Sequence, residues 1–109
     1  SAVRVPTANV SMVDLAFQPE MHTTAEDLNE VVRAAAKGSM KGIICYSENP
    51  LVSSDLNHDP NSATFASLLT KVLDGDLVKV IAWYDNEWGF ANRMIDVARV
   101  MGQQQKEAA

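Results

Sequence analysis

The sequence predicts an α+β fold, with a largely antiparallel or mixed sheet and helices on one face. Two observations lead to this prediction. Segments with strand patterns outnumber those with helical patterns, and most connections are too short for the right-handed crossovers of a parallel sheet. At 109 residues and 47% hydrophobic, the chain has enough apolar side chains for one core, so a single domain or part of one is expected.

The first part of the chain predicts a strand followed by a helix. Apolar residues alternate with polar or small ones over residues 13–17, which is typical of a half-buried strand, and Pro19 ends it. Thr23 is followed three residues later by Glu26, which is the spacing of a capping box. The apolar helical face behind this box closes at Gly38.

The middle of the chain contains shorter elements. Residues 43–46 and 51–56 have the composition of short strands, and residues 57–62 form a loop rich in Asn, Asp, Pro and Ser. Residues 64–73 fit either a strand or a short helix, and periodicity alone leaves both open. The turn residues Asp74-Gly75-Asp76 lead into the last strand.

The most informative segment is an apolar strand that runs directly into a helix. Residues 77–83 are apolar except for Lys79, which predicts a strand covered on both faces. Asn86 then fits a helix cap, and Gly102 fits a helix stop before a polar tail that should fray. One apolar helical face follows the cap: Phe90, Met94, Val97, Ala98 and Met101. Backbone N–H groups at such a helix start can position a polar ligand, although the pattern alone favours simple capping.

Composition and charge exclude several classes of function. The net charge is −5 and no run of Lys or Arg occurs, which argues against a surface for nucleic acid or anionic membrane. The apolar stretches are too short to span a membrane, and no leader pattern is present. A single cysteine cannot form an internal disulfide, which fits a reducing compartment, and we expect a cytoplasmic protein.

Residues with reactive side chains are weak candidates for catalysis. Cys45 lies in an apolar strand with no basic neighbour, so it is predicted to be a small buried hydrophobe. His22 precedes a helix cap, and His58 lies in a turn where backbone hydrogen bonding is the expected role. A metal site of His58 with Asp55 or Asp59 lacks the number and spacing of ligands, so no metal is expected.

Four ordered stretches resemble the phosphorylating glyceraldehyde-3-phosphate dehydrogenases and their close relatives, the erythrose-4-phosphate dehydrogenases. These stretches are Val3-Arg4-Val5-Pro6-Thr7 with Asn9-Val10-Ser11 through Asp14-Leu15, residues 41–48 with 51–55, Asn57-His58-Asp59-Pro60 with residues 62–65, and residues 83–94. The resemblance covers residues 3–101 and implies the same α+β class. It implies that residues 1–102 form the latter part of a catalytic domain, that residues 103–109 are a polar tail, and that the nucleotide-binding domain is absent.

The resemblance gives roles to three residues. Arg4 corresponds to an arginine that binds inorganic phosphate or the substrate phosphate, which suits a planar guanidinium; without the resemblance, an exposed or acid-paired arginine would be favoured. Asn86 corresponds to a residue whose side-chain amide meets the nicotinamide carboxamide of NAD. Phe90 stands where the family often has a tyrosine near the nicotinamide, so a hydroxyl contact is lost.

The resemblance also implies an activity that this chain cannot perform alone. In the parent enzyme, expected to be a homotetramer of glycolysis, a small phosphorylated aldehyde, NAD and inorganic phosphate yield an acyl phosphate. The family's cysteine nucleophile, its histidine and its Gly-rich dinucleotide fold have no match here, so the remainder of the parent must supply them. Two alternatives stay open: a piece of an erythrose-4-phosphate dehydrogenase, or a non-catalytic interaction module. Apolar residues on several sides of the last helix predict that the isolated chain self-associates.

Overall fold

A computed structural model describes residues 4–108, which form one mixed sheet and two α-helices. The strands are β1 (Ser11–Phe17), β2 (Ile44–Ser47), β3 (Ala63–Ala66), β4 (Lys71–Leu73) and β5 (Leu77–Tyr84). The helices are α1 (Ala25–Lys37) and α2 (Trp88–Ala108), and short 3₁₀ turns occupy Ser53–Leu56 and Ser67–Leu69. The predicted α+β class is confirmed.

The last strand, β5, is the centre of the sheet. β1 pairs with it antiparallel over its whole length, from Ser11 opposite Tyr84 to Phe17 opposite Val78. β3 and β4 also pair antiparallel with β5, whereas β2 runs parallel to β3. The order β1-β5-β3-β2, with β4 beside β5, is the predicted mixed sheet with mostly antiparallel neighbours.

Helix α1 differs from the prediction at its start, and α2 differs at both its start and its end. Thr24, in extended conformation, caps α1 because its hydroxyl accepts a hydrogen bond from the Asp27 N–H at 3.2 Å, so the predicted cap at Thr23 is wrong by one residue. α2 continues through Gly102 to Ala108, so the predicted stop is wrong. A glycine ends a helix where the chain turns into a left-handed conformation, and Gly102 stays within the helix. None of the helices in residues 4–108 has the length and apolar character needed to cross a membrane.

The middle of the chain corrects one prediction and resolves another. Residues 53–56 form a 3₁₀ turn and not a strand, because the Asp55 carboxylate accepts the Val52 N–H at 2.8 Å and folds the chain back locally. The ambiguous residues 64–73 contain β3, a 3₁₀ turn and β4 in succession. Arg4 lies outside any strand, because β1 begins only at Ser11, although the valine that follows Arg4 favours strand structure.

The apolar core of the described residues is small. Its buried apolar members are Val10, Leu56, Phe65, Ala66 and Val78. The sequence predicts that one face of β1 is buried. This is wrong for the described residues, because Val13 and Leu15 on that face are about half exposed, as is Met12 on the other. The radius of gyration is 16.3 Å, against about 13 Å for a compact domain of this length. Much apolar surface is therefore left uncovered by residues 4–108.

Candidate functional site

The pairing of β1 with β5 brings two chain segments to one edge of the sheet. Because the strands are antiparallel and Ser11 lies opposite Tyr84, the segment entering β1 lies beside the segment leaving β5. The entering segment carries Arg4, and the leaving segment carries Asn86. A hydrogen bond from Asn9 Nδ2 to Asp85 Oδ2, 2.9 Å long, joins the two segments. The candidate site is built around this contact.

Asp85, and not Asn86, caps the turn that leads into α2. Its backbone carbonyl accepts a hydrogen bond from the Gly89 N–H at 3.1 Å, across the turn residues 86 and 87 that precede the helix. Its side-chain Oδ1 accepts hydrogen bonds from the backbone N–H groups of Trp88 at 3.0 Å and Glu87 at 3.3 Å. The predicted capping role of Asn86 is wrong by one residue. Asn86 therefore stands first in the helical turn, with its side chain exposed.

The second oxygen of Asp85 binds groups that are distant in sequence. Oδ2 accepts the His58 backbone N–H at 2.9 Å as well as Asn9 Nδ2, and Asn9 Nδ2 also donates to Asn57 Oδ1 at 3.0 Å. We call Asp85 with its hydrogen-bond donors Asn9, His58, Glu87 and Trp88 the Asp85 junction. Asp85 is only 2% exposed, so the bonds to its carboxylate are partly shielded from water, whereas the bond between Asn9 and Asn57 is exposed.

The junction favours the ionised form of its carboxylate. The hydrogen bond from the Trp88 N–H is the largest influence and lowers the pKa of Asp85; burial opposes it, and the bonds from His58, Glu87 and Asn9 reinforce it. The positive end of the α2 dipole acts in the same direction. Asp85 is thus a buried anion at neutral pH, and the N–H dipoles around it stabilise its charge.

Two residues have strained backbones here: His58, in the Asp85 junction, and Val10, which directly follows Asn9 of the junction. Val10 has φ 77° and His58 has φ 61°, a left-handed conformation that is rare outside glycine and most unfavourable for a β-branched residue. The N–H of Val10 donates to Asn9 Oδ1 at 2.9 Å, and the N–H of His58 donates to Asp85. Both strained residues are therefore held by hydrogen bonds of the same small network.

The loop of residues 57–62 packs tightly on the start of α2. A Cβ added at Gly89 would lie 2.8 Å from the Asn61 carbonyl oxygen, so only glycine permits this approach. Arg93 donates to the carbonyl oxygens of Gly42 at 2.7 Å and Pro60 at 3.2 Å. The ring of His58 lies against that of Trp88, with centroids 4.8 Å apart. The loop and the first two turns of α2 thus form one packed unit.

Asn86 and Phe90 present free groups on the outer side of this unit. Asn86 is exposed, and within residues 4–108 its amide makes no hydrogen bond, so both its donor and its acceptor are free for a ligand. Phe90 lies one helical turn later on the same face and is 66% exposed. It borders a shallow apolar groove with Met94, Val97 and Met101. The exposed amide offers both a donor and an acceptor, and the exposed ring offers an apolar face.

Arg4 is exposed at the start of the segment that reaches the junction. Asp14, an acid close to Arg4 in sequence and a candidate partner for it, instead pairs with Lys79, whose Nζ lies 3.0 Å from Asp14 Oδ2. In the part of the chain that the structure describes, no ion pair of Arg4 is present. Its guanidinium group is therefore available to an anion such as phosphate.

Comparison with known sequences identifies the family. A sequence model described as glyceraldehyde 3-phosphate dehydrogenase, C-terminal domain, matches residues 1–86. The chain belongs to the glyceraldehyde-3-phosphate dehydrogenase family. It is 61% identical over 97 residues to the chromosomal glyceraldehyde-3-phosphate dehydrogenase of Cupriavidus necator, covering 89% of this chain and 29% of that protein.

Two further relatives agree with this result. The glyceraldehyde-3-phosphate dehydrogenase of Cereibacter sphaeroides is 52% identical over 101 residues, which are 93% of this chain and 30% of that protein. Glyceraldehyde-3-phosphate dehydrogenase 1 of Bacillus subtilis is 53% identical over 97 residues, or 89% and 29% of the two chains. The chain spans about three tenths of the length of these relatives.

Within residues 4–108, the side chains of Cys45, His22 and His58 lie apart and form no catalytic group. Burial raises the pKa of the Cys45 thiol, and the charge of Asp59 raises it further, which disfavours the nucleophilic thiolate. His58 uses its backbone N–H, as predicted, and His22 Nδ1 lies 3.2 Å from Asp76 on the surface. Within residues 4–108, no cluster of three His, Cys, Asp or Glu side chains could share a metal ion.

Sequence reasoning missed the two side chains that join the site, Asn9 and Asp85. Asp85 could have been found, since aspartate and asparagine are equally good caps and Asp85 stands directly before Asn86. Asn9 had no local signal, because its partner Asp85 is 76 residues away. In this family member the pairing of β1 with β5 brings them together.

Proposed function

We propose that residues 1–102 are the latter part of the catalytic domain of an NAD-dependent, phosphorylating glyceraldehyde-3-phosphate dehydrogenase, with residues 103–109 as a polar tail. The observation that supports the proposal is the hydrogen bond between Asn9, in the segment that carries Arg4, and Asp85, the residue before Asn86, because it brings these two segments to one edge of the sheet. The names of the relatives support the glyceraldehyde branch of the family over the erythrose branch.

The residues of this chain have binding and orienting roles in the proposed reaction. Asn86 pairs its amide with the nicotinamide carboxamide, and Phe90 packs beside the ring, which together set the ring face that meets the substrate. Bound NAD would accept a hydride from the aldehyde carbon. Arg4 binds the inorganic phosphate or the substrate phosphate through its guanidinium group.

The remaining parts of the proposed enzyme come from other regions of the gene product. The chain spans 29% of the Cupriavidus necator relative, and it carries no Gly-rich dinucleotide motif. We infer that the nucleotide-binding domain, the cysteine and the histidine are supplied elsewhere, that this chain alone is inactive, and that the whole enzyme is a cytoplasmic homo-oligomer. The exposed apolar side chains of β1 and α2 favour such contacts.

An activity assay of the complete gene product tests the proposal. NAD reduction is expected with glyceraldehyde-3-phosphate, and it should depend on inorganic phosphate. NADP should be the poorer cofactor. A preference for erythrose-4-phosphate that is independent of phosphate would overturn the assignment to the glyceraldehyde branch.

Two variants test the residue roles in the complete gene product. Asn86→Ala should raise the NAD dissociation constant about tenfold, since it removes both hydrogen bonds of the amide. Arg4→Gln should raise the KM for inorganic phosphate by about as much and leave NAD affinity unchanged. Asn92→Ala is the matched control, because it removes an amide of the same helix that bonds only to the Trp88 carbonyl within the described residues. NAD affinity that is equal in Asn86→Ala and Asn92→Ala would contradict the cofactor role.

A further inference from the structure

We propose that Asp85 is a positioning residue that fixes the phosphate-binding segment and the nicotinamide-binding segment in one geometry. The proposal rests on the proposed function, because it concerns the placement of Arg4 and Asn86. Asp85 acts through other residues and is not assigned a contact with substrate or cofactor. The buried carboxylate joins three parts of the chain: the segment entering β1, the loop of residues 57–62 and the start of α2.

The two carboxylate oxygens of Asp85 bind different parts of the chain. Among the residues that the structure describes, Oδ1 binds only the N–H groups of Glu87 and Trp88, which is the ordinary task of a helix cap. In the same range, Oδ2 binds only Asn9 Nδ2 and the His58 N–H, and neither of these bonds contributes to the helix. A simple cap needs one oxygen, as in serine or threonine. The second oxygen is therefore explained by the connection between segments.

Burial and charge make this connection stiff. Hydrogen bonds to an ionised acceptor are shorter and stronger than neutral ones, and a buried anion that loses one donor is left with a desolvation cost. Asp85 is 2% exposed, so water cannot replace a lost donor without an opening of the site. Displacement of any one segment should consequently displace the other two.

Backbone strain on both sides of Oδ2 points to the same conclusion. The left-handed conformations of Val10 and His58 persist only where the surrounding contacts over-determine them. Val10 directly follows Asn9, and its N–H is bound by the Asn9 side chain, while the His58 N–H is itself an Oδ2 donor. Loss of the Oδ2 acceptor should allow both residues to relax, and the segment carrying Arg4 would then lose its fixed approach to the site.

Two substitutions separate the cap from the connection. Asp85→Asn keeps the shape and one carbonyl oxygen for the cap, but places an NH₂ group where Asn9 and His58 donate. Asp85→Ser keeps a capping oxygen and removes the second oxygen altogether. Asp14→Asn is the control, because it removes an exposed carboxylate whose partner is Lys79. All three are made in the complete gene product, with Asn86→Ala alongside.

Amide hydrogen exchange, NAD affinity and phosphate KM are the three measurements. Both Asp85 variants should increase exchange in residues 4–10 and 57–62, beyond any change in residues 85–92. They should raise the NAD dissociation constant and the phosphate KM each about tenfold, with a smaller change in kcat. Asp14→Asn should change none of these. A residue that only caps α2 would alter exchange in residues 85–92 alone.

The outcomes distinguish this proposal from the proposed function. The positioning role is overturned if increased exchange is confined to residues 85–92, or if NAD affinity and phosphate KM in both Asp85 variants match the wild type. Should Asn86→Ala leave NAD affinity unchanged, the cofactor role of Asn86 fails, and so does the inference that Asp85 acts through it. Exchange in residues 4–10 and 57–62 would still show whether Asp85 joins the segments.

Discussion

The two ends of α2 lie in opposite surroundings. At its start, Asp85 caps the helix from a buried position, Gly89 touches the Asn61 carbonyl, and Arg93 binds two carbonyl oxygens of neighbouring loops. Towards its end, Val97, Val100 and Met101 are more than half exposed, and a Cβ added at Gly102 would meet nothing within 4 Å. One continuous helix thus combines a densely bonded start with an uncovered end.

This contrast shows that hydrogen bonds, and not a large apolar core, fix the geometry of the candidate site. The start of α2 is fixed by hydrogen bonds to the Asn9 side chain and to the backbone groups of His58 and Gly42, which lie in three separate segments, and these bonds act over short distances with strict geometry. The end of α2 has only its own helical hydrogen bonds in the described chain, so it should open at a lower free energy. Its apolar face, with Met94, Val97 and Met101, suits packing on another part of the proposed enzyme.

The largest effect is expected at the closest approach, from Gly89→Ala. The added methyl group would overlap a backbone oxygen 2.8 Å away, so the loop of residues 57–62 must move. The free energy of unfolding of the 109-residue chain should fall by about 2 kcal/mol, because this overlap outweighs the better helix propensity of alanine. Urea unfolding measures it, and an unchanged or raised stability would show that the loop does not pack on α2 as described.

Arg93→Ala should lower the free energy of unfolding by somewhat less, about 1.5 kcal/mol. The substitution leaves the carbonyl groups of Gly42 and Pro60 without their donor, while water can reach part of the site. Nε of Arg93 lies 3.0 Å from Asp96 Oδ2 but makes no hydrogen bond, and the Asp96 carboxylate is about half exposed, so this ion pair adds little. Arg93→Lys keeps the charge without the planar fork and should recover less than half of the loss. Full recovery by lysine would mean that charge, and not the paired N–H groups, binds the loops.

The parts of the fold that could be predicted from sequence are those set by local patterns of residues. The strand of residues 77–84, the turn at Asp74-Gly75 and α1 follow from apolar periodicity and turn residues, and the structure has all three. Family resemblance supplied Arg4, Asn86 and Phe90, which periodicity alone would have left as a surface arginine, a cap and a core aromatic.

The parts that could not be predicted depend on distant partners. Asp85 and Asn86 are adjacent and equally suited to capping, and the choice is decided by Asn9 and His58, which only the folded sheet brings near. Residues 51–56 have a strand's composition, but the local bond from the Val52 N–H to Asp55 outweighs it. Gly102 could not be told from a stop, because a glycine in a helix and one beyond its end differ only in backbone conformation.

Acid should weaken the start of α2 specifically. Hydrogen bonds, first of all from the Trp88 N–H, lower the pKa of Asp85 below its ordinary value of 3.8. The folded state therefore binds this proton more weakly than the unfolded state, so the stabilisation is complete above the unfolded value and is lost as the pH falls through the folded one. The difference in unfolding free energy between wild type and Asp85→Asn should accordingly narrow as the pH falls from neutral to below 3.8. Urea unfolding across this range measures the difference, and a constant difference would contradict the shift.

The smallest effect, and the opposite sign, is expected from Gly102→Ala. This is the same substitution as at Gly89 in the same helix, but here the added methyl group enters open space. Alanine restricts the unfolded chain and favours the helix, so the end of α2 should gain about 0.7 kcal/mol. Amide exchange of residues 97–106 should slow, whereas exchange at the Asp85 junction should stay the same. A loss of stability would mean that the end of α2 is already covered in solution, by a second copy of the chain or by its own fold.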